Sequence, residues 1–243
     1  MFKKKIKSFL TKLKYRGSNY TCPICGYQAK AFLPAGLYVK RSNEKCPSCG
    51  SLTRHRHVWL FLDDYFKQKQ NISILHFSPE KPIADRLIAM AGIQYFTTQY
   101  NRELKADYHL DIQQIDLPDN QFDVIICSHV LEHIPDDRNA MKEVHRILKP
   151  GGSALIMVPL WPSEKHDTYE NVAITDERDR IMHFGQYDHL RIYGLDIISR
   201  LEQVGFKVDI VDMEKQVEPQ LAEKYRLHNN LDIRELIFLS IKQ

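Results

Sequence analysis

The 243-residue chain contains no run of about 18 consecutive apolar residues, so no membrane-spanning helix is expected. Nor does its start offer a secretory pattern: charges run through it, and no apolar core with a small-residue cleavage site follows. Internal repeats and low-complexity tracts are absent, which argues against a solenoid or a disordered tail. Acidic residues are missing from positions 1–17, and cysteine is scarce, with five in all. Those last two scarcities are uneven, and the unevenness is informative.

Residues 1–17 carry Lys3, Lys4, Lys5, Lys7, Lys12, Lys14 and Arg16 and no acid. The whole chain has a net charge of +3, so the remainder is at −4 (3 minus 7) and the basicity is local. Phe2, Ile6, Phe9, Leu10 and Leu13 fall on one helical face, giving a basic amphipathic helix suited to an anionic membrane surface. RNA phosphates are the other polyanion such a segment could meet, and a solvated terminus is the plain alternative. The expected location is cytoplasmic, peripheral on the inner membrane face.

Four of the five cysteines form twin knuckles, Cys22-Pro-Ile-Cys25-Gly26 and Cys46-Pro-Ser-Cys49-Gly50. Two C-x2-C pairs twenty residues apart can surround one tetrahedral zinc, and a zinc ribbon is expected over 18–51. The alternative is two disulfides. His55 and His57 follow as spare ligand candidates, but four thiolates already complete a shell. A helix over about 53–68, with Val58, Trp59, Leu62 and Phe66, occupies a linking segment at 52–70.

Beyond residue 71 the pattern changes to α/β. Ser73–Phe77, Phe122–Ser128 and Ser153–Pro159 are continuous apolar runs, the mark of strands buried on both faces. Between the last two, Met141, Val144, Ile147 and Leu148 recur at helical spacing; Asp136 or Asp137 can cap the start, and Pro150-Gly151-Gly152 ends it. Ser78 offers an N-cap with Pro79 at the first helical position, and Ile93–Thr98 is a second strand. A helix over 194–204, a strand over 206–211 and a last strand over 235–242 complete an open, doubly wound α/β sheet. Such sheets bind ligands at the carboxyl ends of their strands.

Several motifs then occur in order: Leu117-Pro-Asp-Asn-Gln-Phe-Asp-Val-Ile-Ile126, Leu131-Glu-His-Ile-Pro-Asp136 and Leu148-Lys-Pro-Gly-Gly152. Over roughly 72–242 the chain resembles the class I S-adenosylmethionine-dependent methyltransferases. Leu75-His-Phe-Ser-Pro-Glu80 and His183-Phe-Gly-Gln-Tyr-Asp-His-Leu-Arg-Ile-Tyr-Gly194 are similar to a bacterial subfamily often met beside glycosyltransferases, in which a Pro-Glu turn replaces the first glycine loop. The resemblance implies a Rossmann-like seven-stranded sheet and S-adenosylmethionine as cofactor. It places the cofactor along His76, Phe77, Ser78, Pro79 and Glu80, then Gln99, Asp111-Ile112, and Cys127, Ser128 and His129. Gln99 stands where an acid usually holds the ribose hydroxyls, and a neutral amide gives up the charge-assisted bond.

His129-Val-Leu-Glu-His133 also fits an inverted zinc-protease pattern, but that needs both His on one exposed helix face, and His129 follows directly on a buried strand. Glu132 and His133 are expected to shape the loop over the pocket. The segment 160–193 is long for a connection and rich in polar and aromatic groups, including Trp161, His166 and Tyr169, so it is expected to be a substrate lid. In it His183, Gln186, Tyr187, Arg191 and Tyr193 are candidate substrate contacts. Asp188-His189 could pair, with His189 as general base and His129 as the second candidate.

The leading expectation is methyl transfer to a hydroxyl of a saccharide or cell-surface polymer intermediate. One alternative is an RNA methyltransferase with a zinc module, disfavoured by the mildly acidic α/β domain, since an RNA footprint should be a basic patch. The other is a non-catalytic binding protein on a degenerate fold.

Overall fold

The computed structural model describes residues 2–67, 69–161, 167–228 and 234–243, with side chains from residue 6 onward. Its elements begin with α1 (Phe2–Tyr15), four short strands β1 (Arg16–Thr21), β2 (Gln28–Ala29), β3 (Leu33–Ala35) and β4 (Arg41–Lys45), and α2 (Thr53–Tyr65). Then come β5 (Ile72–Phe77), α3 (Lys81–Ile88), β6 (Ile93–Thr98), β7 (Phe122–Ser128), α4 (Asp137–Ile147) and β8 (Leu148–Met157). The rest is β9 (Tyr169–Glu170), α5 (Glu177–Phe184), β10 (Arg191–Ile192), α6 (Ile197–Glu202), β11 (Phe206–Val211), α7 (Met213–Gln216), α8 (Pro219–Tyr225) and β12 (Ile237–Lys242).

The chain divides into two compact units that do not follow chain order. One comprises residues 1–68, 80–86 and 212–235, the other 69–79, 87–211 and 236–243. In the first, β1 pairs with β2 and β3 with β4, all antiparallel. Its interior is charged as well as apolar. Arg56 of α2, fully buried, donates to the carbonyls of Glu44, Ser51 and Arg226 and to the Thr53 hydroxyl, and its guanidinium lies 5.0 Å from the Phe32 ring. The buried Glu44 carboxylate accepts from the backbone N–H of Thr53 at 3.0 Å, so it caps α2. The His57 ring bonds the Leu227 carbonyl at 2.6 Å, tying α2 to the end of α8.

The second unit is built on one sheet with strand order β11-β12-β8-β7-β5-β6. β6, β5, β7 and β8 are parallel and β12 and β11 antiparallel. β5 is buried at every residue and β7 at all but one, as continuous apolar runs require. Leu75, Ile125, Ala154 and Ile156 meet Met141, Val144 and Ile147 of α4 and Ile197 and Leu201 of α6 in one apolar cluster. The Asp136 carboxylate caps α4 by accepting from the Asn139 N–H at 2.9 Å. The chain leaves β5 toward β6 and β7 toward β8 on opposite sides, so the point where the winding reverses lies between β5 and β7.

Two expectations are corrected. The sheet has six strands among the described residues, not seven. Beyond β6 the next segment contributes one parallel bridge, Thr98 to Tyr108, with Asp107 and Tyr108 both donating to the Thr97 carbonyl. Nor does Ser78 cap a helix with Pro79 at its first position. Ser78 turns left-handed at φ 47°, and the carbonyl of Glu80 accepts the first helical bonds, from Ile83 and Ala84, so α3 begins at Lys81. The segment expected to be a lid is ordered where described: β9 pairs with β10, and α5 is capped by Asp176 and closed by Gly185 at φ 84°. His166 lies outside the described residues.

Candidate functional site

Each cysteine knuckle is a tight turn. Gly26 and Gly50 take φ 70° and 78°, a conformation natural to glycine, and donate to the carbonyls of Cys22 and Cys46. The Ser48 N–H faces the Cys46 sulfur at 3.4 Å. The turns bring Cys22 Sγ to 3.7 Å from Cys49 Sγ and Cys25 Sγ to 3.8 Å from Cys46 Sγ. These spacings are far beyond a disulfide bond of about 2.05 Å. They match the edge of a sulfur tetrahedron around zinc, about 3.8 Å for Zn–S distances near 2.3 Å. Hydrogen bonding with the Cys22 sulfur pulls the Cys25 thiol down to about 6 and pushes Cys46 up. His55 and His57 are otherwise engaged: His55 Nδ1 accepts from the Leu52 N–H at 3.2 Å, and His57 holds Leu227.

In the α/β unit a cleft of about 500 Å³ opens at the carboxyl ends of β5, β6 and β7. Phe77 and Ser78 form its floor at β5, and Thr98 and Tyr100 lie beyond β6. Leu110, Asp111, Ile112 and Gln113 make one wall; His129, Val130, His133, Ile134, Pro135 and Asp188 make the other. Ser78 and His129 sit at the tips of adjacent parallel strands, and both are non-glycine residues with positive φ, 47° and 53°. Such backbone strain concentrates at functional sites. The left-handed turn expected of a glycine loop is therefore present at Ser78 without a glycine.

Behind the second wall lies a titratable cluster. Glu132 is fully buried and meets His129 Nδ1 at 3.2 Å through Oε1. Burial alone would push its carboxyl up, but the His129 hydrogen bond and the neighbouring imidazoles hold it below its ordinary value. Glu132 Oε2 and His129 Nε2 are both buried and have no hydrogen-bond partner. His133 packs edge-on against His189, ring centroids 4.8 Å apart. His189 is buried and gives Nδ1–H to the Phe184 carbonyl at 3.0 Å; burial holds its imidazole below the ordinary value.

The turn carrying this cluster is fastened from below. Arg191 donates to the carbonyls of Leu131, Ile134 and Pro135, and Leu190 N–H donates to the Glu132 carbonyl at 2.9 Å. Tyr193, fully buried, donates to Asp137 at 2.7 Å, and Arg200 meets the same carboxylate at 3.0 Å.

Of the sequence-derived cofactor residues, Phe77, Ser78, Asp111, Ile112 and His129 line the cleft. His76, Cys127 and Ser128 are buried in the strands, with His76 Nδ1 on the Tyr95 hydroxyl at 2.9 Å. Pro79 does not line the cleft, and Glu80 turns to His55 at 3.7 Å. Gln99 is also absent from the lining. With the two-residue alternation of extended chain, Thr98 and Tyr100 share the cleft side and Gln99 does not. Asp188 reaches the cleft, but its carboxylate meets His133 at 3.3 Å rather than His189, because consecutive residues point apart. Arg191 and Tyr193 are structural, as described. His183 Nδ1 meets the Tyr169 hydroxyl at 2.9 Å, Gln186 donates to Asp188, and Tyr187 is exposed; none of the five substrate candidates lines the cleft. Tyr100 and Gln113 line the cleft without having been sequence candidates for it, and His133, expected to shape the loop over the pocket, is part of its lining. For Tyr100 the signal was strand alternation continued one step past β6.

Residues 83–156 match the family model described as a methyltransferase domain. Among curated proteins the chain is 37% identical over 59 residues to the demethylmenaquinone methyltransferase of Chlamydia caviae, a match spanning 24% of this chain and 26% of that protein. The matched region is thus about a quarter of the relative's length. Among solved structures, the cyclase SpnF superposes with a TM-score of 0.53 and 17% identity over 77% of this chain and 81% of that one. Phosphoethanolamine N-methyltransferase 2 of Haemonchus contortus, solved with S-adenosyl-L-methionine, gives 0.53 and 15% over 77% and 52%. The α/β unit thus has the fold of the class I methyltransferases, and part of it, residues 83–156, matches the methyltransferase-domain model.

Proposed function

We propose that this chain transfers a methyl group from S-adenosylmethionine to a hydroxyl of a small polar acceptor, a saccharide or cell-surface polymer intermediate. The observation that carries the reading is the cleft at the winding reversal, with the Asp111-Ile112 wall facing the His129, His133 and Asp188 wall. Its lining fits the cofactor: Phe77, Leu110, Ile112 and Ile134 offer apolar surface for an adenine, and Ser78, Thr98, Asp111 and Gln113 offer polar groups for the ribose and the amino-acid end. The curated relative supports methyl transfer as the chemistry. The cyclase neighbour shows that this fold alone does not settle it.

The bound cofactor supplies a methyl already activated on a sulfonium. The chain's task is to align the acceptor oxygen and exclude water. His129 is our candidate for taking the acceptor's proton, through an Nε2 that is buried and has no hydrogen-bond partner. Its Nδ1–H is committed to Glu132, which leaves Nε2 unprotonated, and the buried carboxylate stabilises the imidazolium that forms. Bound zinc at Cys22, Cys25, Cys46 and Cys49 would hold the knuckles together and take no part in the transfer.

A peripheral membrane location fits α1. Its Ile6, Phe9, Leu10 and Leu13 are 45–61% exposed beside Lys7, Lys12 and Lys14, and no described helix is long and apolar enough to cross a membrane. Flotation with anionic vesicles at low salt should carry the full chain and leave a 1–17 deletion behind, at about 1 kcal/mol for each basic residue near the surface. A full chain that stays in solution removes the membrane reading.

The enzyme reading is tested by titrating the protein with S-adenosylhomocysteine. Binding in the micromolar range is expected. Tyr100→Ala should weaken it about tenfold, a loss typical of one aromatic contact. Gln99→Asp should change it less than that. No binding at millimolar ligand would leave a methyltransferase fold without its cofactor.

A further inference from the structure

We infer that Glu132, His133 and His189 form a metal site separate from the four cysteines, taking a divalent first-row transition ion and presenting it to an acceptor oxygen in the cleft. Each of the three offers a ligand atom, and these atoms lie within 4.8 Å of one another. Ligands about 2.1 Å from a tetrahedral ion stand about 3.4 Å apart, within reach of side-chain adjustment.

Hydrogen-bond accounting points to a cation. His189 Nδ1 faces the Phe184 carbonyl and His133 Nδ1 faces the Asp188 carbonyl and carboxylate, oxygens that only accept. Both rings therefore carry their proton on Nδ1 and keep a lone pair on Nε2. An oxygen partner on the far nitrogen is the arrangement that orients metal-bound imidazoles. The Glu132 carboxylate is 0% exposed, and its Oε2 is buried with no hydrogen-bond partner. Several acceptors converge, and a buried carboxylate oxygen is left without a donor. Such an atom costs about 1–3 kcal/mol or more unless something positive meets it.

Two imidazoles and one carboxylate select zinc, manganese, iron or cobalt over magnesium and calcium, which favour all-oxygen shells. Three protein ligands leave a coordination position open, as catalytic sites do. Of the three ligand residues His133 lines the cleft, so the proposed site meets the cleft on the side of that ring. Coordination there would acidify an acceptor hydroxyl. On transfer its proton passes to His129 Nε2, the oxygen forms the bond to the methyl carbon, and the carbon–sulfur bond breaks with its electron pair left on a neutral thioether. This catalytic role rests on the methyltransferase reading; the ion site itself does not.

The test adds Co²⁺ to the full-length protein as purified, with the cysteine site filled. Equilibrium dialysis should find one added Co²⁺ per chain, its visible bands lacking sulfur charge transfer. Glu132→Gln and His189→Ala should each weaken that binding at least about tenfold. In wild type, the ring protons of His133 and His189 should show paramagnetic shifts, a readout that needs no variant to fold. No added Co²⁺, Co²⁺ retained by both variants, or unshifted rings would each overturn the site. S-adenosylhomocysteine binding measured on the same samples keeps the outcomes apart. Cofactor binding without Co²⁺ sinks the metal site alone, and Co²⁺ without cofactor binding sinks the enzyme reading alone.

Discussion

The two compact units solve the same problem with different chemistry. The α/β unit is large enough to bury continuous apolar strands, and Ile125, Ala154, Ile156 and Met141 lie in its interior without a polar atom to satisfy. The unit holding the N-terminal residues has four short strands of two to six residues and cannot cover such a core. Small modules compensate with metals or cross-links. Here four sulfurs converge, and a buried guanidinium donates to four separate groups of the chain. The lesson is that burial means opposite things in the two places. Around β5, β7 and β8 it removes oil from water, while around Arg56 it organises charges that only their partners make tolerable.

The sharpest way to break the comparison is at the sulfurs. Cys46→Ser should release the metal and with it stabilisation on the order of 10 kcal/mol, the scale of structural zinc. Limited proteolysis should then cut the segment 16–51 while the six-stranded sheet stays resistant. Should the variant keep both its metal content and its protease resistance, the knuckles are not what holds this unit.

A smaller effect separates the two kinds of interior. Arg56→Met keeps volume but strands the carbonyls of Glu44, Ser51 and Arg226, and should cost about 3–5 kcal/mol, the scale of breaking a buried charged network. Leu75→Ala in β5 should cost about 2–5 kcal/mol through the cavity it leaves. Similar size would hide different addresses. By hydrogen exchange, Arg56→Met should loosen amides of α2, and Leu75→Ala those of β5 and β7. Reversed or identical exchange patterns would show that the interiors are not independent in kind.

The same contrast explains what could be read from the sequence. The twin knuckles were legible because a C-x2-C turn is local: spacing fixes geometry within four residues. Buried strands were legible because an apolar run has one use, and Asp136 could be seen as a cap. Glu44 and Arg56 were not, since composition treats charges as surface and nothing local reveals a partner at Arg226, 170 residues away. Arg191 and Tyr193 carry the chemistry of substrate contacts, yet they lie outside the cleft lining and fasten the 131–135 turn instead. Gln99 and Tyr100 differ by one step of a two-residue period, so a one-residue error in strand phase exchanges them. The left-handed Ser78 is a backbone state that no side-chain pattern announces.

The smallest expected effect tests a partly exposed charge pair in the α/β unit. At the amino ends of β5 and β7, Asp123 Oδ2 accepts from the Ser73 N–H at 2.8 Å, from its hydroxyl at 2.7 Å and from Lys149 Nζ at 2.7 Å. Burial would push this carboxyl up, but the Lys149 ammonium and the Ser73 donors outweigh it and hold it below the ordinary value. A depressed folded-state value means the contribution is complete above the unfolded carboxylate range, near pH 4, and is lost as pH falls through the lower, folded value. Asp123→Asn should therefore lower stability at pH 7 and flatten its decline below about pH 4. Because Lys149 is 40% exposed and screened by solvent, the loss should stay under about 1 kcal/mol. Denaturant midpoints for both proteins, taken from pH 7 down into the acid limb, decide it. Parallel curves would mean that Asp123 titrates alike in the folded and unfolded chain, and that this clamp positions strands without stabilising them.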